Sequence, residues 1–263
     1  MSAMVDQRLP GGRMGGAVRV GDTVRRPAQP WTPGIHAVLA HLQAVGFVGA
    51  PAPLGFDDQG REVQSFLTGK TVGDQLPWPE WVRSDRALLQ VGQWMRRMHD
   101  ATASFVPDAD AQWFSGDPWR PGLVIGHHDA SPLNAVWKGD DLIGFVDWDS
   151  AAPSSREFDL AFVALSWVPL HARRAVELVG FSDFADRARR LHLLLGAYGY
   201  TDDRSAFGRV VVERARLQAS VIRRGADSGN PVYQALVPLA DDLDVAGAEI
   251  EALPGNFWVE ASD

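Results

Sequence analysis

Short apolar runs broken by Gly, Pro and Asp fill the first 67 residues, and helical spacing takes over further on. Ala17 to Val20 and Thr23 to Arg26 read as two strands joined by Gly21-Asp22, a two-residue hairpin signal. Trp31 to Val45 sets Ile35, Val38, Leu39, Leu42 and Val45 on one stripe. Thr32 can cap it and Pro33 lies in its first turn, so the spacing predicts a helix ended by Gly46. A short strand near Ala52 to Gly55, a turn at Asp57-Asp58-Gln59-Gly60 and a returning strand from Arg61 to Leu67 complete this part. Trp81 to Ser104 predicts a helix with Ala87, Leu88, Val91, Trp94, Met95 and Met98 on a broad apolar face. Another helix, capped by Ser154 or Ser155, runs to about Val168. Further helices are expected over 170–179, 182–196, 205–224 and 231–251.

The stretch 123–150 has a different texture. Leu123 to Ile125, Ala135 to Trp137 and Leu142 to Val146 are three short strand-like runs, with a turn at Lys138-Gly139-Asp140-Asp141. Between and after them stand His127, Asp129, Asn134, Asp147 and Asp149. A loop between two strands and the end of a third can bring Asp129, Asn134 and Asp147 to one point. Phosphoryl transfer needs such a set. One carboxylate orients the accepting hydroxyl, and carboxylate and amide oxygens hold Mg²⁺ together with phosphate oxygens. Taken alone, Asp147-x-Asp149 also suits a solvated strand end. His127-His128-Asp129, with His99-Asp100 as a second dyad, also suits a metal-dependent phosphohydrolase, although Pro132 argues against the helix such a site uses.

The order His127-x-Asp129-x4-Asn134, followed by Val146-Asp147-Trp148-Asp149, resembles the catalytic core of the aminoglycoside phosphotransferase and choline kinase-like family. The resemblance implies an α+β, protein-kinase-like bilobal fold, with a small antiparallel β N-terminal lobe over 1–67 and a larger, mostly helical lobe over 68–263. It implies transfer of the γ-phosphate of ATP or GTP to a hydroxyl of a small molecule. Asp129 would orient or deprotonate that hydroxyl, Asn134 and Asp147 would hold Mg²⁺, and Asp149 would assist with the metal or brace the loop. His127 would support the loop, and His128 stands where the family usually has Gly, so its side chain is expected near substrate. Asp159, in a Pro…Asp-Leu-Ala segment, would brace the loop from behind. Ser65 and Leu67 would lie where backbone groups pair with the base, and Gly12 and Gly15 in a glycine-rich turn over the phosphates.

Two departures matter. No Lys precedes Lys70, so the cation that such folds keep on a strand falls to Arg25, with Arg26 next to it. The helix over 31–45 has no Asp or Glu to pair with that cation, and His36 and His41 are its polar candidates. A catalytically weak or inactive kinase-like nucleotide- or small-molecule-binding protein is the alternative they motivate.

Composition narrows the rest. At 263 residues and 46% apolar content the chain is long and apolar enough for a sizeable core, so it is globular. A net charge of -8 argues against a nucleic-acid surface. The lack of cysteine excludes disulfides and thiolate chemistry. No basic-then-apolar leader and no apolar run near membrane-spanning length is present, so we expect a cytoplasmic protein without a membrane partner.

Overall fold

The computed structural model describes residues 7–9, 16–73 and 75–259. The chain falls into two compact units, one made of 1–74 with 97–156, the other of 75–96 with 157–263. The segment carrying Asp129, Asn134 and Asp147 thus groups with the N-terminal strands.

In chain order the elements begin with strands β1 (Gln7–Arg8), β2 (Val18–Val20) and β3 (Thr23–Pro27), then helix α1 (Thr32–Ala44), then β4 (Pro53–Phe56) and β5 (Arg61–Ser65). The five strands form one antiparallel sheet in the order β1-β2-β3-β5-β4. The Gly21-Asp22 turn sets Val20 opposite Thr23, and β3 lies on β5 with Arg26 opposite Glu62. Helix α1 buries Ile35, Val38, Leu39 and Leu42, each 1% exposed or less. Each such side chain contributes about 1.5–3 kcal/mol when taken from water. Val45, expected on the same stripe, is 49% exposed, because the helix stops at Ala44 and the chain reverses at Gly46.

After a short 3-10 turn at Glu80–Arg83 comes α2 (Asp85–Thr102), then strands β6 (Val124–Gly126), β7 (Ala135–Lys138), β8 (Asp141–Phe145) and β9 (Ala152–Ser154). β7 and β8 form the expected hairpin. β6 pairs with β9, a strand not expected from the sequence, in which Pro153 lies opposite Ile125. Gly144 is fixed by space. A Cβ there would lie 2.0 Å from the Gly49 carbonyl oxygen, which also accepts the Phe145 N–H at 3.0 Å. The loop after α1 is thereby seated directly on the end of β8 that leads to Asp147.

The second unit is helical, with α3 (Arg156–Trp167), α4 (Arg173–Leu178), α5 (Arg187–Tyr198), α6 (Arg204–Asp227), α7 (Pro231–Ala235) and α8 (Val237–Glu251). The expected face of α2 is buried: Ala87, Leu88, Val91, Trp94, Met95 and Met98 are all 2% exposed or less. Several helix limits differ from those expected, and three have a visible local cause. The stretch 81–104 breaks at Ser84, which turns extended and caps α2 by accepting the Ala87 N–H at 3.2 Å. α5 runs through Gly196 and ends at Gly199, which takes the left-handed conformation that closes a helix. The single helix expected over 231–251 splits at Leu236, because Pro238 has no N–H to continue α7 but suits the first turn of α8. Phe257 and Trp258 near the C-terminus are buried. No helix among the described residues is long and apolar enough to cross a membrane.

Candidate active site

The site is built from one loop, one hairpin and the face of the sheet that carries Arg26. The chain leaves β6 at His127, which is fully buried. Its ring lies 4.7 Å from that of Trp148 and 5.8 Å from that of Phe145, and its Nδ1 accepts the Asp129 N–H at 3.3 Å. An accepting Nδ1 makes this a neutral imidazole with its proton on Nε2. His127 therefore shapes the loop. His128 has a φ of 60°, a left-handed backbone that explains why the resembled family keeps Gly at this position.

Asp129 and Asn134 are in contact. The Asn134 Nδ2 donates to the Asp129 carbonyl and to its carboxylate Oδ2, both at 2.9 Å. The loop between them is closed by Ser131 N–H on the Asp129 carbonyl at 2.8 Å and Asn134 N–H on the Ser131 carbonyl at 3.1 Å. With the amide nitrogen committed, the Asn134 Oδ1 is the atom left for another partner. The Asn134 carbonyl accepts the Val146 N–H at 3.0 Å, so the loop and the end of the β7–β8 hairpin meet there. Asp147 follows at once, in a left-handed conformation (φ 63°, ψ 63°) that Asp tolerates better than most residues. Trp148 is fully buried and donates its Nε1–H to the Phe145 carbonyl at 3.0 Å, which anchors the turn between Asp147 and Asp149.

The cation at these carboxylates is Arg26. One of its guanidinium nitrogens, Nη1, donates to Asp147 Oδ1 and to Asp149 Oδ2, each at 3.0 Å, and its Nε donates to Glu62. Arg25, the first choice from sequence, faces the other way and pairs with Asp57 at 3.5 Å. Neighbouring side chains on a strand point to opposite faces, so only one of the two can reach the cluster. The remaining Arg26 nitrogen, Nη2, is buried and has no acceptor among the described residues.

Glu62 was missed from sequence, whereas His36 was one of the two polar candidates on α1, with His41. Glu62, 1% exposed, takes the place of the acidic residue that α1 lacks. It accepts from Arg26 across the strand pair, from Gln64 Nε2 at 3.1 Å, and is 3.2 Å from His36 Nε2 on α1. The sequence offered little signal, since β5 also carries Arg61, Gln64 and Ser65, and the partner of Glu62 depends on strand register.

Electrostatics follow from this crowding. Burial pulls the Arg26 pKa down, but Asp149, Glu62 and Asp147 outweigh it and hold the pKa above the ordinary arginine value. Burial pushes the Glu62 carboxyl up, and the hydrogen bond from His36 and the charge of Arg26 bring it below its usual range. Asp149 goes the other way. Burial, then the neighbouring charges of Asp147 and Glu62, push it up to about 6 despite Arg26. Three carboxylates share one guanidinium, so the cluster has negative charge to spare.

That surplus suits a hard divalent cation. Asn134 Oδ1, Asp147 and Asp149 are oxygen donors of the kind Mg²⁺ takes beside phosphate oxygens and water. Among the described residues no group of three or more His, Cys, Asp or Glu could hold a metal alone, so phosphate oxygens would have to complete the set. The unmatched Nη2 of Arg26 fits a phosphate oxygen in the same way.

Ser65 and Leu67 make no contact with this cluster among the described interactions. Ser65 Oγ accepts the Ala52 N–H at 2.8 Å, which ties β5 to the edge of the sheet. Leu67 is half-buried just beyond β5. Asp159 is fully buried in the first turn of α3, in the other unit. Gly12 and Gly15 lie outside the described residues.

Similar folds have been solved. A choline/ethanolamine kinase family protein from Mesorhizobium loti superposes with a TM-score of 0.65 at 18% identity, covering 96% of this chain and 90% of that one. An amicoumacin kinase, solved with AMP-PNP and Ca²⁺, gives 0.65 at 12% identity, covering 95% and 91%. An aminoglycoside 2'-phosphotransferase, solved with GDP, gives 0.62 at 15% identity, covering 95% and 94%. The fold is therefore α+β and protein-kinase-like, as in these solved structures. No protein-family model matches the chain. The chain belongs to the family of the trifolitoxin immunity protein of Rhizobium leguminosarum bv. trifolii, with 36% identity over 196 residues, 73% of each chain.

Proposed function

We propose that this protein is a phosphotransferase that moves the γ-phosphate of ATP or GTP to a hydroxyl of a small molecule. The observation that carries this reading is the meeting of Asp129, Asn134, Asp147 and Arg26. Asn134 bonds Asp129 at 2.9 Å and the chain beside Asp147 at 3.0 Å, and Arg26 reaches Asp147 at 3.0 Å. Asp129 takes or orients the proton of the acceptor hydroxyl, and the Asn134 bond holds its carboxylate in place for this. Asn134, Asp147 and Asp149 are the residues that would hold Mg²⁺. When bound, the ion neutralises charge on the transferring phosphoryl group. Arg26 supplies a fixed cation for the phosphates. It is a fork rather than the usual lysine point charge: Nε and Nη1 are held by carboxylates, and Nη2 is left to donate to a phosphate oxygen. His128 faces substrate. Residues 1–67 serve as the nucleotide lobe, with Ser65 to Leu67 beside the base. Residues 68–263 serve as the catalytic and acceptor lobe. No nucleic acid or membrane takes part, and the protein works in the cytoplasm.

A second reading is favoured by two observations. Arg stands where such enzymes keep Lys, and the curated relative is named for immunity to a toxin, not for catalysis. On this reading the protein binds nucleotide or a toxic small molecule without turning it over. A nucleotide-consumption screen across cationic and neutral hydroxyl compounds separates the two, with Asp129→Ala as control. Turnover that vanishes in Asp129→Ala supports transfer. Binding of Mg²⁺-nucleotide with no turnover on any acceptor supports the binding module.

A further inference from the structure

In a protein-kinase-like site the strand cation is normally steadied by one carboxylate from the neighbouring helix. Here α1 offers no carboxylate, yet Arg26 is not left loose. Its Nε donates to Glu62, which sits directly opposite on β5. Glu62 is buried, and its second oxygen, Oε2, meets two further groups: Gln64 Nε2 at 3.1 Å and His36 Nε2 at 3.2 Å. His36 belongs to α1, and its ring lies 5.2 Å from the ring of Phe56 on β4. The helix therefore reaches the cation through a ring N–H and a carboxylate on the sheet, not through an ion pair of its own.

From this we infer that His36 and Glu62 form a two-part positioning device for Arg26, in which His36 makes the orientation of the guanidinium depend on the placement of α1. Glu62 fixes the Nε edge of the fork. That directs Nη1 to Asp147 and Asp149 and sets Nη2 toward the position of a missing acceptor. Losing the His36 N–H frees one side of the Glu62 carboxylate, so the Arg26 fork loses its fixed aim while its charge stays. This inference rests on the reading of Arg26 as the phosphate-holding cation.

The test uses full-length protein, His36→Phe, His36→Gln, and two readouts. His36→Phe keeps a ring against Phe56 and deletes the N–H. His36→Gln keeps a donor. The first readout is Mg²⁺-ADP affinity by calorimetry. The second is the NMR resonance of the Arg26 Nε–H, assigned by its loss in Arg26→Lys. We expect His36→Phe to weaken Mg²⁺-ADP by about tenfold, the usual size of effect for a supporting hydrogen bond behind a ligand group. It should also shift the Nε–H resonance, and His36→Gln should restore both. A folded His36→Phe that leaves both readouts at wild-type values overturns the inference. If the wild type fails to bind Mg²⁺-ADP while the resonance still moves in His36→Phe and returns in His36→Gln, the positioning role stands. The nucleotide reading of the site is then what fails.

Discussion

Arg25 and Arg26 are adjacent and identical in chemistry, and the structure assigns them opposite fates. Replacing Arg26 by Met keeps an apolar stem of similar length and removes the guanidinium. It strips Glu62, 1% exposed, of its cation, and leaves Asp149, 17% exposed at the side chain, facing two like charges. Removing one partner of a buried ion pair costs about 3–5 kcal/mol, and we take about 3 because Asp147 and Asp149 keep some solvent. For a chain of this size that is a fall in Tm of about 6–12 °C. Arg25→Met removes a pair at 3.5 Å on a half-exposed face, where Asp57 keeps bonds from Arg61 and from the turn backbone. Its Tm should move by less than about 2 °C, as for most surface pairs. Thermal unfolding by circular dichroism reads the stability, and Mg²⁺-ADP calorimetry reads the function. We expect Arg26→Met to weaken binding at least about tenfold, and Arg25→Met to leave it near wild type. Equal losses in the two variants, or a larger loss in Arg25→Met, would refute this account of the sheet face.

Three further outcomes follow from particular contacts. Gly144→Ala places a Cβ 2.0 Å from the Gly49 carbonyl and should cost about 3 kcal/mol, seen as a lower urea midpoint; an unchanged midpoint contradicts that close approach. His128→Gly removes a left-handed strain of about 1 kcal/mol and should raise Tm by about 2–4 °C; a lower Tm would mean that the imidazole contributes more than its backbone costs. His171 is held below the ordinary histidine pKa by burial, partly opposed by Asp242, and its Nδ1 accepts the Ala172 N–H at 3.0 Å. The folded form thus resists protonation, so stability is full above the unfolded value of about 6.5 and falls as pH drops below it. His171→Gln should flatten that fall between about pH 7 and 5, and an unaltered slope would contradict it.

What the sequence made legible was local. The Gly21-Asp22 hairpin, the buried stripe of α1 and the β7–β8 hairpin each depend on residues within a few positions of one another. The nearness of Asp129, Asn134 and Asp147 comes from one loop and one turn, and so could be read. The choice between Arg25 and Arg26 could not, because it depends on which face of the sheet meets the carboxylates. Glu62 lies 36 residues from Arg26 and becomes its neighbour only through the β3–β5 register. His36 could be named as a polar candidate on α1, but not its partner, which comes from a strand 26 residues further on. β9 and the helix breaks at Ser84 and Leu236 escaped for a related reason. Each is decided by pairing or by the geometry of one Ser or Pro, against an otherwise continuous pattern.

On the proposed function, Asp147, next to Asn134 and under Arg26, belongs to a site for a metal-bound triphosphate. Calorimetric titration of ATP with and without Mg²⁺, in wild type and Asp147→Asn, tests it most directly. The account predicts binding in wild type that strengthens when Mg²⁺ is present, and a loss of that Mg²⁺ dependence in Asp147→Asn. No binding in wild type, or equally Mg²⁺-dependent binding in both proteins, would contradict it.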